Sequence, residues 1–471
     1  MTEEFAHQLL STRRQFLSRS AAGIGSLALG SLLTPNALAN EKNSIIQNAL
    51  QYAPKAKRVI YLYMAGGPSH LESFDYKPEL ERMDGKLMPK SMTEGEELAQ
   101  LQGADLWIMG PQAKFARYGQ SQQEISSVFP KIAEVADDIC IIRSMKTDQI
   151  NHDPAHTFMN TGTSISGRPS MGSWLTYGLG SESENLPGFV VLSSNTGAVS
   201  QPISARQWHS GFLPSKHQGV EFRSLGDPVL YIQNPDGVSQ KVQRDVIDAV
   251  QELSKLRNDI VDEPEIATRL SQYEMAFQMQ TSVPELADFS SEPDHILEMY
   301  GTKGADGSFA ANCLMARRLA ERGVRFTQIY HRGWDHHARI KSLMPAQAKS
   351  VDQASAALIK DLKQNGMLDD TLVIWGGEFG RTPMAQSDGR DHHINGFSIW
   401  MAGGGIKGGI THGATDDLGY NAVEDVVHVN DLHATILRLF GLNHEKLTYR
   451  YQGRDFRLTD VAGNVVSKIL A

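Results

Sequence analysis

Short apolar runs alternate with helical patterns along most of the chain. Runs typical of strands cover residues 58–64, 139–145, 324–330, 371–375 and 397–402. Helical spacing of apolar residues covers 309–321, 346–366 and 430–440, and the last helix is predicted to open with an Asn or Asp cap. Strands that alternate with helices in this way are typical of α/β proteins with a mostly parallel central sheet flanked by helices. The pattern therefore predicts that fold class.

Two stretches interrupt this alternation. Residues 76–130 are rich in Met, Gln and Gly and have poor periodicity, whereas residues 232–295 have the pattern of two or three long helices. We interpret both as insertions into, or a cap over, one core. A hydrophobic content of 41% is ample for such a core, and residues 40–471 are accordingly predicted to form a single domain with helical insertions.

The first 39 residues have the pattern of a targeting segment. Arg13 and Arg14 precede a diluted apolar run over 21–33, which is followed by Ala-Leu-Ala at 37–39, a small-residue cleavage signal. This order predicts a twin-arginine export signal over residues 1–39 and a periplasmic or secreted protein. The alternative is an ordinary amphipathic helix. The apolar run is shorter than the roughly 20 residues that a bilayer requires, so no stable membrane span is expected.

The net charge limits the classes of binding partner, and the two cysteines indicate free thiols. The chain has 45 basic and 54 acidic side chains, a formal net charge of −9, which argues against nucleic acid and anionic membranes as partners. Cys140 and Cys313 each lie in an apolar segment. They are predicted to be buried free thiols rather than a disulfide pair.

Histidines follow or precede the predicted strand ends. The chain has 16 of them, and ligand sites of open parallel sheets form at the carboxyl ends of the strands. A single loop histidine is more often hydrogen-bonded than metal-bound, but a cluster at one sheet edge favours metal or acid–base chemistry. The candidates are His70, His152, His156, His331, His336, His337, His392 and His393.

Carboxylates among these histidines suggest a ligand set. In an extended segment Asp335 and His337 point to the same face, and together they suit zinc, manganese or iron. Glu378 lies in the glycine-rich turn after the predicted strand 371–375 and could also bind a metal, while Arg381 in the same turn could hold an oxyanion. Alternatively, Glu378 and Arg381 form an ion pair within a tight turn. Of the three consecutive residues 391–393, alternation allows no more than two to face the site.

Several motifs together resemble a known family. His-Asp-Pro-Ala-His at 152–156, with Thr-Gly at 161–162 and Gly-Arg-Pro at 167–169, is similar in layout to the nucleophile motif of sulfatases. Glu-Phe-Gly at 378–380 falls at their Asp-His-Gly position, and 429–437 resembles their closing helix. His392, followed by the loop at 401–408, resembles their last metal-binding histidine. With Gly-Gly-Pro-Ser at 66–69 and Trp-Asp-His-His at 334–337, the chain resembles over residues 10–470 the bacterial twin-arginine-exported domain-of-unknown-function family numbered fifteen hundred and one, within the alkaline phosphatase and sulfatase superfamily.

This resemblance implies an alkaline phosphatase-like fold and a metal-dependent hydrolase of phosphate, sulfate or related esters. The substrate would be a small anionic ester or a sulfated or phosphorylated glycan. The chain departs from the pattern in three places: His152 stands at the nucleophile position, His156 at the sulfatase arginine, and Phe379 at the histidine of Asp-His-Gly. The first strand also lacks the usual aspartate. The nearby substitutes are Ser69, His70 and Asp75.

Two catalytic routes and one non-catalytic role follow from these residues. In the first route the metal activates water, with Asp335, His337, His392, Glu378 and His70 as candidate ligands and Arg381 stabilising charge. In the second, Ser69 or His152 attacks the ester directly. His156, at the sulfatase arginine position, is a further candidate catalytic residue. The non-enzymatic alternative is a protein that binds an anionic or carbohydrate ligand or an envelope partner. All versions predict that Ser69, His152, Asp335, Glu378 and His392 converge at one sheet edge.

Overall fold

The computed structural model describes residues 50–194, 201–230, 232–234, 237–261 and 264–471. The predicted export signal lies outside these residues. Within them the strands are β1 (Arg58–Ala65), β2 (Phe115–Tyr118), β3 (Gln123–Ser126), β4 (Ile139–Lys146), β5 (Phe189–Ser193), β6 (Val220–Phe222), β7 (Phe326–Arg332), β8 (Thr371–Gly376), β9 (Gly380–Gln386), β10 (Gly389–His393), β11 (Phe397–Ala402), β12 (Ile410–His412), β13 (Ala414–Thr415), β14 (Ala422–Glu424), β15 (Val427–His428), β16 (Tyr449–Tyr451) and β17 (Arg454–Phe456).

The helices of the described residues lie between these strands. They are α1 (Pro78–Arg82), α2 (Lys90–Thr93), α3 (His152–Thr161), α4 (Met171–Leu179), α5 (Gln240–Val261), α6 (Pro264–Ala287), α7 (Asp294–Tyr300), α8 (Phe309–Glu321), α9 (Ile340–Gln364) and α10 (Val429–Leu439). None of the helices in the described part of the chain is long and apolar enough to cross a bilayer.

A central sheet of nine strands organises the molecule. Its order is β12-β4-β11-β8-β1-β7-β5-β6, and β15 also pairs with β4. The strands from β8 to β6 are mutually parallel. Strand β11 is antiparallel to both β8 and β4, so β4 and its partners β12 and β15 run in the same direction as β8. The predicted α/β class with a mostly parallel sheet is confirmed.

Both faces of the sheet are covered, which explains the continuous apolar strands. Ile60 and Leu62 of β1 belong to the core that α8 and α9 complete on one face. Tyr61 and Tyr63 belong to the core on the other face, which includes side chains of α3, α4 and α10. Alternate side chains of one strand therefore enter different cores, as is typical of parallel sheets.

Predicted element boundaries agree with the structure best where the chain is apolar. Helix α8 has its predicted bounds, and β8 extends one residue beyond the predicted strand. Strand β7 begins at Phe326, two residues after the predicted start. Helix α9 begins at Ile340 rather than Ala346 and contains Pro345. Prolines usually lie in the first turn of a helix. Because Pro345 is the sixth residue of α9, a start placed at this proline falls too late.

The cap predicted for the last helix was wrong. The N-cap of α10 is His428, whose side chain accepts a hydrogen bond from the Asn430 N–H. The Asp431 carboxylate accepts a hydrogen bond from the His428 N–H at 3.0 Å and so completes a capping box. A histidine performs the role usually taken by Ser, Thr, Asp or Asn because its ring nitrogen accepts a hydrogen bond equally well.

The interrupting stretches hold short elements and long helices, respectively. Residues 76–130 contain α1, α2 and the β2–β3 hairpin, and 232–295 contain α5, α6 and the start of α7. Ile108 of the first stretch forms a bridge with Met384 of β9 and packs in a small third core. Both cysteines are free and buried, as predicted.

The strand register brings several loops to one edge of the sheet. Tyr63 of β1 lies level with Tyr330 of β7 and Gly376 of β8. The turns that follow these three parallel strands therefore leave the sheet side by side. Antiparallel β11 begins at the same edge, where Phe397 pairs with Met145 near the end of β4. Beside this edge lies the β9–β10 hairpin, which was not predicted from the sequence.

Candidate metal centre

Four side chains converge at this sheet edge. They are His152, the first residue of α3, Asp335 and His337 from the loop after β7, and His392 from β10. One potential ligand atom from each lies within 4.8 Å of all the others. Three imidazoles and a carboxylate at this spacing suit a metal ion. We call these four residues the metal group.

Asp335 lies at the centre of this group. Its Oδ1 atom is 2.9 Å from His337 Nε2 and 3.4 Å from His392 Nε2. Its Oδ2 atom is 3.2 Å from His152 Nε2. The carboxylate thus touches all three imidazoles through the same ring nitrogen, Nε2.

Hydrogen bonds on the opposite ring nitrogens fix two of the tautomers. His392 Nδ1 lies 2.8 Å from the carbonyl oxygen of Ile150, which can only accept, so Nδ1 carries the proton and Nε2 the lone pair in the neutral ring. His337 Nδ1 contacts Gln386 Oε1. The Gln386 amide donates from Nε2 to Gln100 Oε1 at 2.7 Å, an orientation that leaves its oxygen facing His337.

His152 is oriented by a buried carboxylate. Its Nδ1 lies 2.7 Å from Glu378 Oε1, and Glu378 is itself held by the N–H of Gly66 at 3.0 Å. A ligand histidine that donates its other N–H to a carboxylate is common in metal sites because this contact fixes the ring and raises its basicity. Glu378 therefore orients a ligand of the metal group and is not itself a member of it.

This donor arrangement fits a cation. His337 Nε2 and His392 Nε2 are only 2.9 Å apart, although both hold lone pairs in the tautomers just described. Two lone pairs and a carboxylate oxygen facing one another repel unless a proton or a metal ion lies between them. The three imidazoles and one carboxylate suit zinc, manganese or iron.

Charge and burial shift the pKa values in the group. Burial alone would raise the pKa of Asp335, but contacts with the imidazoles of His152, His337 and His392 and the charge of Arg381 hold it well below its usual range. Burial lowers the pKa of His392 to about 4 against the effect of Asp335, so the ring is neutral at pH 7. Burial also acts to lower the pKa of His152, yet hydrogen bonds to Asp335 and Glu378 raise it.

A second group lies deeper, behind His152. Glu378 Oε2 is 3.5 Å from His156 Nδ1, which also lies 2.8 Å from the Tyr63 hydroxyl. Burial lowers the pKa of His156 to about 4, against the opposing charge of Glu378. His152, His156 and Glu378 could themselves hold an ion, but both oxygens of Glu378 already accept hydrogen bonds from Gly66.

Arg381 is fully buried beside the metal group. Its Nη2 donates to Asp335 Oδ1 at 2.6 Å, and its remaining donors reach backbone carbonyls, including Gly67 at 2.8 Å and Arg390 at 3.1 Å. The guanidinium therefore holds Asp335 and ties the turn after β1 to the hairpin. Sequence reasoning offered either an oxyanion contact or a pair with Glu378, and the structure shows a pair with Asp335 instead.

Ser69 and His70 belong to neither metal group. Ser69 is buried and donates to Glu72, whose carboxylate is paired with Arg390 at 2.7 Å. His70 Nε2 lies 2.9 Å from the Gly419 carbonyl, also away from Asp335. The short helical turn at residues 70–72 directs these side chains into the protein. Of the five residues predicted to converge at this edge, four belong to the two groups, whereas Ser69, in the turn after β1, belongs to neither.

Three further candidate histidines lie outside the groups and are buried: His331, His336 and His393. Conversely, Gln386 and Tyr63 contact ring nitrogens of His337 and His156 but were not predicted. Tyr63 was missed because its sequence context is typical of a core strand residue. Gln386 was missed because it lies in a hairpin rich in strand breakers. Phe379 packs against His152 and His392, with ring centroids 4.9 Å and 4.6 Å away.

Solved structures similar to the chain include a sulfatase, an alkaline phosphatase and a phosphonate monoester hydrolase. A PsFucS1 sulfatase from Pseudoalteromonas sp. is 13% identical, with 86% of this chain and 72% of that chain covered at a TM-score of 0.34. The alkaline phosphatase from the Antarctic bacterium TAB5 is 11% identical, with 83% and 99% covered at 0.31. The phosphonate monoester hydrolase SpPMH from Silicibacter pomeroyi is 12% identical, with 67% and 69% covered at 0.31.

Family membership is established by sequence. No curated protein matches the chain. The sequence model of one family, described as "Protein of unknown function (DUF1501)", matches residues 56–470, which is nearly all of the chain outside the predicted export signal. The chain therefore belongs to the DUF1501 family.

Proposed function

We propose that the chain is an exported metal-dependent hydrolase of phosphate, sulfate or related esters. The observation that carries this proposal is the convergence of three imidazole Nε2 atoms on the Asp335 carboxylate at the sheet edge. The group is partly open to solvent, because 29% of the Asp335 side chain and 24% of the His337 side chain are exposed. A small anionic ester, free or on a glycan, can therefore approach it.

A divalent cation held by these four residues supplies Lewis acidity toward the ester oxygens. His152, Asp335, His337 and His392 would hold it. Glu378 fixes the ring of His152 from behind, and the partners of the other two imidazoles keep their Nε2 atoms directed inward.

Water is a better candidate for the nucleophile than any of the three predicted side chains. Ser69 is buried and engaged by Glu72, and His156 is fully buried against Tyr63. His152 directs Nε2 at Asp335 rather than at open space. None of these three side chains presents a free nucleophilic atom to a substrate, so the covalent route has less support than water attack.

Arg381 supports the reaction indirectly in this scheme. Because the guanidinium is fully buried and contacts Asp335 and backbone carbonyls, it positions the carboxylate ligand. Contact with the transferring group, as the sequence suggested, would require these hydrogen bonds to break.

Export through the twin-arginine pathway is part of the proposal. The support is the order of Arg13, Arg14, the apolar run and the small-residue cleavage signal. Export in a folded state would allow the metal to be inserted in the cytoplasm. The protein would then act in the periplasm or outside the cell.

Activity of the metal-loaded protein tests the proposed function. Protein loaded separately with zinc, manganese or iron is assayed on aryl phosphate, phosphodiester and sulfate esters. We expect turnover with at least one pair, and at least a 100-fold lower kcat/KM for Asp335→Ala and His392→Ala. His444→Ala is the control, since His444 lies after α10 and bonds to Thr459. Turnover that survives both ligand substitutions would contradict the proposal.

A non-catalytic role is the second candidate. One observation favours it: the Phe379 ring packs on His152 and His392 at the position where the resemblance places a ligand histidine. A site reduced to one cation and lacking an open nucleophile could bind an anionic or carbohydrate ligand without cleaving it. Ester binding that depends on Asp335, with no product formed by any metal form, would support this role instead.

A further inference from the structure

Arg332, at the end of strand β7, carries a charge that no described residue neutralises. It lies three positions before Asp335. Within the part of the chain that the structure describes, its side chain makes no hydrogen bond, ion pair or stacking contact. The residue is partly buried, and a cation that is partly withdrawn from water without a partner costs free energy. The five N–H donors of its guanidinium are therefore available to an anion.

The strand geometry places the Arg332 side chain on the face of the sheet that α3 covers. Side chains alternate between the two faces along a strand. His331 faces α8 on one side of the sheet, whereas Tyr330 packs against Tyr63 on the other side. Tyr63 in turn contacts His156 of α3. Arg332 therefore projects on the α3 side, one step nearer to the sheet edge than Tyr330.

The guanidinium lies close to the metal group on this side. Burial lowers the pKa of His156 against the charge of Glu378, and the charge of Arg332 lowers it further. The His156 ring lies 5.8 Å from the His152 ring, centroid to centroid. His152 Nε2 lies 3.2 Å from Asp335 Oδ2. Arg332 thus borders the site from the side opposite to the buried Arg381 contact with Asp335 Oδ1.

The start of α3 adds a second positive contribution at the same place. This helix has ten residues and begins at His152, and the side chain of its N-cap residue, Asn151, makes no capping hydrogen bond. The N–H groups of a first helical turn and the helix dipole favour an anion. The carboxylate in this turn, that of Asp153, is ion-paired with Arg206. It therefore does not cancel the charge of Arg332.

The charges around the metal group match a ligand with two negative charges. Despite burial, contacts with imidazoles hold the pKa values of Asp335 and Glu378 below their usual range, so both are ionised, and Arg332 and Arg381 balance them. Imidazoles are neutral when they bind a metal. A divalent cation therefore leaves an excess of two positive charges. A phosphate monoester carries about two negative charges above pH 7, whereas a sulfate ester or a phosphodiester carries one.

We propose that Arg332 binds the anionic group of the ester and selects the doubly charged group of a phosphate monoester over singly charged esters. This inference rests on the proposed function, because it takes the metal group as the place where the ester binds. The guanidinium would hold two non-bridging oxygens in a bidentate contact, with the first turn of α3 beside them.

Two ester analogues that cannot be hydrolysed test the proposal without any turnover. Phenylphosphonate carries two negative charges in mildly alkaline buffer and benzenesulfonate carries one, on the same ring. Ligand-observed NMR titration of the full chain with one equivalent of zinc measures both affinities. We expect phenylphosphonate to bind about tenfold more tightly than benzenesulfonate. Arg332→Gln should bind phenylphosphonate about 10- to 100-fold more weakly than the wild type, because a charge-assisted contact is lost.

Arg168→Gln is the matched control. Arg168 is also partly buried, and among the described residues it makes stacking contacts with Phe456 and Phe212 but no ion pair. The control removes the same charge outside the site, so its affinity for phenylphosphonate should equal that of the wild type. Both variants should keep the metal content of the wild type.

Three results would overturn the proposal: no binding of phenylphosphonate by the wild type, binding by Arg332→Gln within twofold of the wild-type affinity, or equal affinity for the two analogues. Binding that depends on Arg332 in a protein that cleaves no ester would support this inference and contradict only the hydrolase function. Ester turnover that is unchanged in Arg332→Gln would contradict this inference and leave the hydrolase function standing.

Discussion

At the residue scale, the metal group depends on hydrogen-bonding groups that lie behind it. The Glu378 carboxylate fixes His152, the backbone carbonyl of Ile150 fixes His392, and the Gln386 side chain fixes His337. Each of these contacts leaves Nε2 directed toward Asp335. Metal affinity should therefore respond to residues that never touch the ion.

Glu378→Gln should weaken metal binding by about 10- to 100-fold, because a neutral amide orients His152 but does not raise its basicity as a carboxylate does. Competition with a chromophoric chelator measures the affinity. Glu445→Gln serves as the control, since 65% of the Glu445 side chain is exposed and it lies outside both metal groups. An affinity for Glu378→Gln within twofold of the wild-type value would show that the contact has no such role.

Acid sensitivity should depend in part on His433. Burial lowers its pKa to about 4, while its Nε2 donates to the Met159 carbonyl at 2.8 Å. The unfolded chain takes up this proton near pH 6.5, so stability is lost as pH falls from 6.5 to 4. The loss from this one group is about 3 kcal/mol.

His433→Gln keeps a donor for Met159 and removes the titration. We expect its free energy of unfolding, from urea melts at pH 7 and pH 4.5, to fall less than that of the wild type between the two pH values. An equal fall in both proteins would mean that His433 becomes protonated without penalty in the fold.

At the element scale, the turn after β1 connects the sheet to the metal loop. Gly66 has a φ of +124°, and a Cβ atom there would lie 2.6 Å from Asp335 N and 2.8 Å from Trp334 C. Trp334 is fully buried, so the loop cannot shift freely to make room. This close approach is what places Asp335 beside Arg381.

Gly66→Ala should lower the free energy of unfolding by about 2–5 kcal/mol, from overpacking together with left-handed strain, and should also weaken metal binding. Gly85→Ala is the matched control: Gly85 has a φ of +73°, but a Cβ atom would meet nothing within 4 Å. That variant should lose only about 1–2 kcal/mol and bind metal normally. Thermal unfolding and metal content of both proteins decide the question, and equal behaviour would contradict the packing argument.

Sequence patterns predicted the elements whose burial is continuous and missed those with mixed signals. Strands β1, β4, β8 and β11 are apolar runs and were predicted within one residue at each end. The β9–β10 hairpin was missed because Gly380 and Pro383 lie in its first strand, and both residues normally break strands. The hairpin nevertheless carries His392, which was predicted as a ligand, and Gln386, which was not.

At the scale of the whole molecule, residues far apart in sequence form the site. His152 and Glu378 are 226 positions apart, and only the parallel strand register brings them together. The order of strands predicted that polar side chains would meet at one edge. It could not show which way each side chain turns, and for that reason Ser69 and His70 were included although both point into the protein.

The proposed export depends on the first 39 residues of the chain. Changing Arg13 and Arg14 together to Lys should leave uncleaved precursor in the cytoplasm, because the twin-arginine pathway reads that pair. Fractionation and immunoblotting of the producing cells measure this. Purified protein of either form should unfold at the same temperature, since the pair lies in the signal segment. Normal periplasmic accumulation of the Lys-Lys variant would contradict the export proposal.

The stoichiometry of bound metal tests the central claim most directly. Protein folded with zinc, manganese or iron and freed of excess ion is analysed for metal, beside Asp335→Ala, His392→Ala and the control His444→Ala. The account predicts about one tightly bound ion per chain in the wild type and in His444→Ala, with most of it lost from the other two variants. No stoichiometric metal in the wild type, or full retention in Asp335→Ala and His392→Ala, would contradict it.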